Sequence, residues 1–117
     1  MAKIVYNSGY GGYSLSDETI HRYAELKGLA IHKTPDGKRV FSYWRYNDHD
    51  EYFDYAKIPR HDPCLVQAVE ELGPAADGGW SDLNILEVPD GTLYYIDEYD
   101  GNEVVITESQ HKWEVAE

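Results

Sequence analysis

Arg60, His61 and Asp62 set a guanidinium, an imidazole and a carboxylate side by side. Such groups could hold an anion and move a proton, which are the parts of a small hydrolase. Neighbours in sequence seldom face one another, however, and Asp62 before Pro63 reads better as a helix N-cap. No residue is assigned as catalytic on this pattern. A second cluster, Asn47 to Glu51 with Asp54, offers oxygens to a hard cation. It lacks the calcium-loop spacing, as does Asp97 to Glu103, and no Cys/His spacing suggests zinc. Neither a metal nor a cofactor is expected. Cys64 is the one cysteine, so no intramolecular disulfide can form. It has no histidine partner that the sequence identifies, and reads as a small residue near the core.

The stretch "YNSGYGGYSLSDE", residues 6–18, has the glycine content of a phosphate cradle. A phosphate-binding loop needs Gly-Lys-Ser/Thr after its glycines, and no lysine follows here. The spacing of a dinucleotide fingerprint is also missing. Asp17 and Glu18 already occupy the helix start, where an anion would sit. The expectation is a tight connection whose glycines let the chain cross close to the sheet.

Eleven tyrosines and three tryptophans are too many for one core of this size. Tyr10, Tyr13, Tyr43, Trp44, Tyr46, Tyr52, Phe53 and Tyr55 gather in two segments read as loops or sheet edges. Such rings serve interfaces well, because they bring area at low entropy cost. Alternated with carboxylates they make an acidic, adhesive surface, which can imitate DNA phosphates towards a basic partner. Alternatively they pad the sheet and close a homodimer. The partner contact is assigned to Asp48, Asp50, Glu51, Tyr52, Asp54 and Tyr55. A different class of function, sequestration of a nucleotide between protomers, would use Tyr10 and Tyr13 to stack the base. Arg22, Arg39, Arg45 and Arg60 would then meet the phosphates.

The elements that position these residues follow from local signals. Lys3–Tyr6 reads as a strand. Ser16 caps a helix that ends at Gly28, with Leu15 and Ile20 as a hydrophobic staple and Glu18–Arg22 and His21–Glu25 as pairs on the wet face. Two strands flank Pro35-Asp36-Gly37. Asn47 to Lys57 is unperiodic and reads as a surface loop with at most a short strand. Asp62 and Pro63 start a second helix, with Leu65, Val66, Ala68, Val69 and Leu72 at helical spacing and Gly73-Pro74 as its stop. "LNILEV", "TLYYIDEY" and "EVVIT" read as a three-stranded meander, with Asp100-Gly101 the strongest hairpin signal. "KWEV" would add an edge strand. The expectation is a single α+β domain over 1–117: an antiparallel sheet of about five to seven strands with two helices packed on one face.

Twenty-two acidic against ten basic side chains give a net charge of -12. That disfavours binding to a nucleic-acid backbone or an anionic membrane. A basic protein suits it. No signal peptide or membrane span is evident, so the cytosol is the expected compartment.

The blocks "KIVYNSGYGGYSLS", "IPRHDPCLVQAVEELGPAADG" and "LNILEVPDGTLYYIDEYDGNE" resemble a family of short uncharacterised proteins associated with bacteriophages and prophage regions. The likeness covers most of the chain in the same order, is most specific in the central block, and is weakest from Lys33 to Lys57. It implies an accessory phage protein in the bacterial host cytosol. It brings no established activity and no site residues. By analogy with small acidic phage proteins, the expected role is stoichiometric binding and inhibition of a host or defence protein.

Overall fold

The structure is a computed structural model that describes residues 1–35, 42–47 and 51–108. Its class is α+β, with antiparallel strands throughout. The strands are β1 (Ala2–Asn7), β2 (Ile31–Pro35), β3 (Ser42–Tyr46), β4 (Tyr52–Phe53), β5 (Leu83–Val88), β6 (Tyr94–Tyr99) and β7 (Asn102–Thr107). The helices are α1 (Asp17–Lys27) and α2 (Pro63–Leu72). Short 3-10 turns at Tyr55–Lys57 and Gly73–Ala76 complete the described elements. The Pro35-Asp36-Gly37 turn and the "KWEV" strand lie wholly or partly outside the described residues.

Both helices end where their capping residues predict. Ser16 Oγ accepts the Thr19 N–H at 3.2 Å, and Gly28 closes α1 in the left-handed region at φ 75°. Asp62 Oδ1 accepts the Cys64 N–H at 2.8 Å, with Pro63 in the first turn where its missing N–H leaves nothing unpaired. The buried face of α2 is Leu65, Val66, Ala68 and Val69. Each larger aliphatic contributes about 1.5–3 kcal/mol by leaving water.

Among the described residues the strands form three sheets, β1–β5, β2–β3–β4 and β6–β7, rather than one continuous sheet. The expected meander is thereby corrected. β5 pairs with β1, from Ala2↔Val88 to Asn7↔Leu83, and among the described residues β6 pairs with β7 alone. Five residues, 89–93, separate β5 from β6, more than a tight hairpin needs. They carry the chain to a second layer instead.

Alternation along β1 makes that layering work. Val5 faces Leu65, Val69, Ile20 and Tyr23 in the helical core. Ile4 faces the other way, against Val88 and Val105, with Tyr94 and Ile96 packed beside them. The β1–β5 ladder therefore carries the helices on one face and the β6–β7 hairpin on the other. The β2–β3–β4 sheet joins the helical core through Ile31, Trp44 and Phe53.

Candidate functional site

The Arg60-His61-Asp62 triplet diverges. Arg60 forms a two-pronged pair with Glu103 of β7, at 2.7 and 2.9 Å. Its guanidinium carbon lies 3.4 Å from the Tyr13 ring centroid. His61 turns to the surface, where its Nδ1 lies 2.6 Å from the Tyr94 hydroxyl. Asp62 turns inward and accepts the Tyr23 hydroxyl and the Lys27 ammonium, each at 3.0 Å. Burial alone would raise the Asp62 carboxyl, but the Lys27 ammonium, the Cys64 N–H and the Tyr23 hydroxyl hold it below the usual range. A histidine that meets neither its neighbouring arginine nor its neighbouring aspartate lacks the geometry of a base held by a carboxylate.

Arg60 and Glu103 instead plug an edge. The Val5 N–H donates to the Arg60 carbonyl and the Asn7 N–H to Glu103 Oε1, both at 2.9 Å. These close the side of β1 that faces away from β5. The Tyr13 hydroxyl beside them is buried with no hydrogen-bond partner among the described residues, and burial pushes its ionisation up to about 12.

Of the expected partner surface, Glu51, Asp54 and Tyr55 are described. Asp48 and Asp50 lie outside the described residues, as does the Tyr52 side chain. Glu51 and Asp54 are exposed, and Asp54 caps the following turn by accepting the Ala56 N–H at 3.0 Å. Tyr55 is half-buried against the core and 6.0 Å from Tyr13. Trp44 and Phe53 also pack on the core. Most of the described rings in these segments therefore pad the fold. Beside Glu51, Tyr23, Tyr46, Phe53, Lys27 and Lys57 border an open groove of about 510 Å³.

Two arginines of the nucleotide set already hold carboxylates. Arg22 grips Glu71 through Nε at 2.6 Å, which with Gln67 holds that carboxyl down at about 2. Its expected helix partner, Glu18, is replaced by Glu71 and Glu25. Arg60 is taken by Glu103, Arg45 sits half-buried on β3, and Arg39 lies outside the described residues. Tyr10 is 72% exposed, whereas Tyr13 is committed beneath Arg60. Cys64 is half-buried against the core. Among the described residues no group of His, Cys, Asp and Glu is placed to hold a metal, and no helix is long and apolar enough to cross a membrane.

The glycine stretch is a close-packed crossing. A Cβ on Gly11 would strike Trp80, and one on Gly101 would strike the Tyr10 carbonyl and the Gly12 N. Three loops thus meet at the tip of the β6–β7 hairpin. Asp100 at φ 52° and Gly101 at φ 86° make the tight turn that the Asp-Gly pair predicts.

A surface that the sequence reading passed over lies on that hairpin. Its inner face packs on Ile4 and Val88. Its outer face presents Tyr95, Asp97 and Tyr99 of β6 and Val104 of β7, with Leu93 just before β6. Leu93, Tyr95, Tyr99 and Val104 are all more than half exposed, and Tyr10 and Trp80 stand exposed on the loops at the tip. The charge pattern was the available signal. Residues 61–108 hold twelve Asp and Glu and no Lys or Arg. The whole net charge is carried by that stretch, because the remaining acids and bases balance.

No protein-family model, curated protein or solved structure matches the chain.

Proposed function

We propose that this chain is a non-enzymatic accessory protein that captures and inhibits a basic partner protein. In the phage setting that the resemblance implies, the partner is a host or defence factor in the bacterial cytosol. The observation that carries this proposal is the exposed apolar surface of Tyr95, Tyr99 and Val104 around Asp97 on the outer face of β6–β7, with Asp100 exposed at its turn. Tyrosine and valine supply contact area, and surrounding carboxylates speed encounter with a basic surface while repelling nucleic-acid phosphates. The divergence of Arg60, His61 and Asp62 favours binding over hydrolysis.

The experiment is capture from bacterial lysate by immobilised protein, read by mass spectrometry. It compares the wild type with two variants that each alter exposed positions. One carries Asp97→Lys, Glu98→Lys and Tyr99→Ala, and the other Glu51→Lys and Asp54→Lys. A basic protein held by the wild type and the second variant, and lost from the first, is the expected result. Loss from the second variant alone returns the contact to the 51–55 segment and refutes the hairpin.

A further inference from the structure

Among the described residues, nothing pairs with the outer edge of β6. In an antiparallel ladder only alternate residues bond across to the partner. The Glu108 N–H donates to the Leu93 carbonyl at 3.0 Å, and the register runs on to Tyr99↔Asn102. Tyr95, Asp97 and Tyr99 therefore direct their backbone groups to β7, whereas Tyr94, Ile96 and Glu98 direct theirs away from it. Among the described residues, β6 has no second ladder partner and none of these three backbones is bonded elsewhere. The contrast with β1 is clear, since its outer edge is filled by Arg60 and Glu103. Open edges are ready templates for another strand.

We infer that this edge is a strand-addition site for an extended, Lys- or Arg-bearing segment of another protein, which bonds to the N–H and C=O groups of Tyr94, Ile96 and Glu98. The inference rests on the acidic-face proposal above and names how the partner engages it. Charge selects the occupant. Asp97, Glu98 and Asp100 are exposed, and no cation lies anywhere in 61–108. A second copy is disfavoured, because pairing β6 with itself sets these carboxylates against one another. Side-chain order adds specificity. Along the outer face β6 reads tyrosine, aspartate, tyrosine at alternate positions, about 7 Å apart. A partner cation drawn to Asp97 has the exposed Tyr99 ring beside it, the arrangement that favours cation–π contact.

The test uses the full chain and three synthetic peptides: one alternating Lys with Val, the same peptide with Glu for Lys, and the Lys peptide N-methylated at alternate backbone amides. Amide hydrogen exchange is read at Tyr94, Ile96 and Glu98 by NMR. The Lys peptide is expected to bind and to slow exchange at all three amides. N-methylation on the bonding side is expected to weaken it about tenfold or more, since each lost bond is worth about 0.5–1.5 kcal/mol. The Glu peptide is expected not to bind, and the surface variant Asp97→Lys with Glu98→Lys to lose the Lys peptide. Binding of the Lys peptide without protection of those amides overturns strand addition while leaving the acidic face as a docking surface. No binding by the Lys peptide at about 1 mM, a contact worth under about 4 kcal/mol, overturns it as well.

Discussion

Replacing Arg60 by alanine strands the Glu103 carboxylate in the interior. The Glu103 side chain is 6% exposed and that of Arg60 17%. Removing one partner of a buried pair costs about 3–5 kcal/mol, because the other charge is left uncompensated. Glu103 keeps the Asn7 N–H at 2.9 Å, which puts the ionic loss at the lower end, about 3 kcal/mol. Loss of the stack over Tyr13 adds about 1 kcal/mol. A total near 4 kcal/mol is a large share of the roughly 5–15 kcal/mol that holds a domain together. Glu103→Gln retains an acceptor for Asn7 and costs less, about 1–2 kcal/mol. Arg60→Ala combined with Glu103→Gln removes both charges and costs at least about 1 kcal/mol less than the sum of the two singles. The assay is urea unfolding at fixed ionic strength, followed by tryptophan fluorescence. A loss under about 1 kcal/mol for Arg60→Ala, or strict additivity in the double variant, would refute the assignment of Arg60 to the architecture of β1 and β7.

Three further outcomes are expected. Because the folded-state carboxyl of Asp62 titrates below its unfolded value of about 3.9, its stabilisation is complete above that pH and fades as pH falls through the folded value. The stability gap between wild type and Asp62→Asn therefore narrows below about pH 4 in urea titrations, and a gap that widens on acidification contradicts the cause given. Tyr13→Phe removes a buried hydroxyl that has no hydrogen-bond partner among the described residues, so thermal unfolding should show no change or a gain of up to about 1 kcal/mol, and a clear loss would reveal a bond to that hydroxyl. Gly91 and Gly101 both have positive φ, but only Gly101 lacks room for a Cβ. Gly91→Ala should cost about 1–2 kcal/mol and Gly101→Ala a further 1–3 kcal/mol or so, and equal costs would remove the close crossing at Tyr10 and Gly12 as the reason.

The sequence by itself determined what is decided within a turn or two of chain. Ser16, Gly28, Asp62 with Pro63, and Gly73 mark the helix ends, because capping joins a side chain or a left-handed residue to backbone three or four positions away. Asp100-Gly101 marks its hairpin for the same reason. Tertiary structure alone decided the rest. β5 pairs with β1 rather than with the next strand in the chain, since β6 and β7 leave the ladder to cover the second buried face of β1. Arg60 finds Glu103 at 43 residues' separation, which turns a triplet with catalytic residue types into an edge plug. Tyrosines of the same chemistry part company, Tyr13 beneath a guanidinium and Tyr99 in solvent. The acid-only stretch was visible as a string of letters. Its division required long-range packing, which buries Asp62 and Glu103 in ion pairs, gives Glu70 and Glu71 to Lys3 and Arg22, and leaves Asp97 on the wet face of the β6–β7 hairpin.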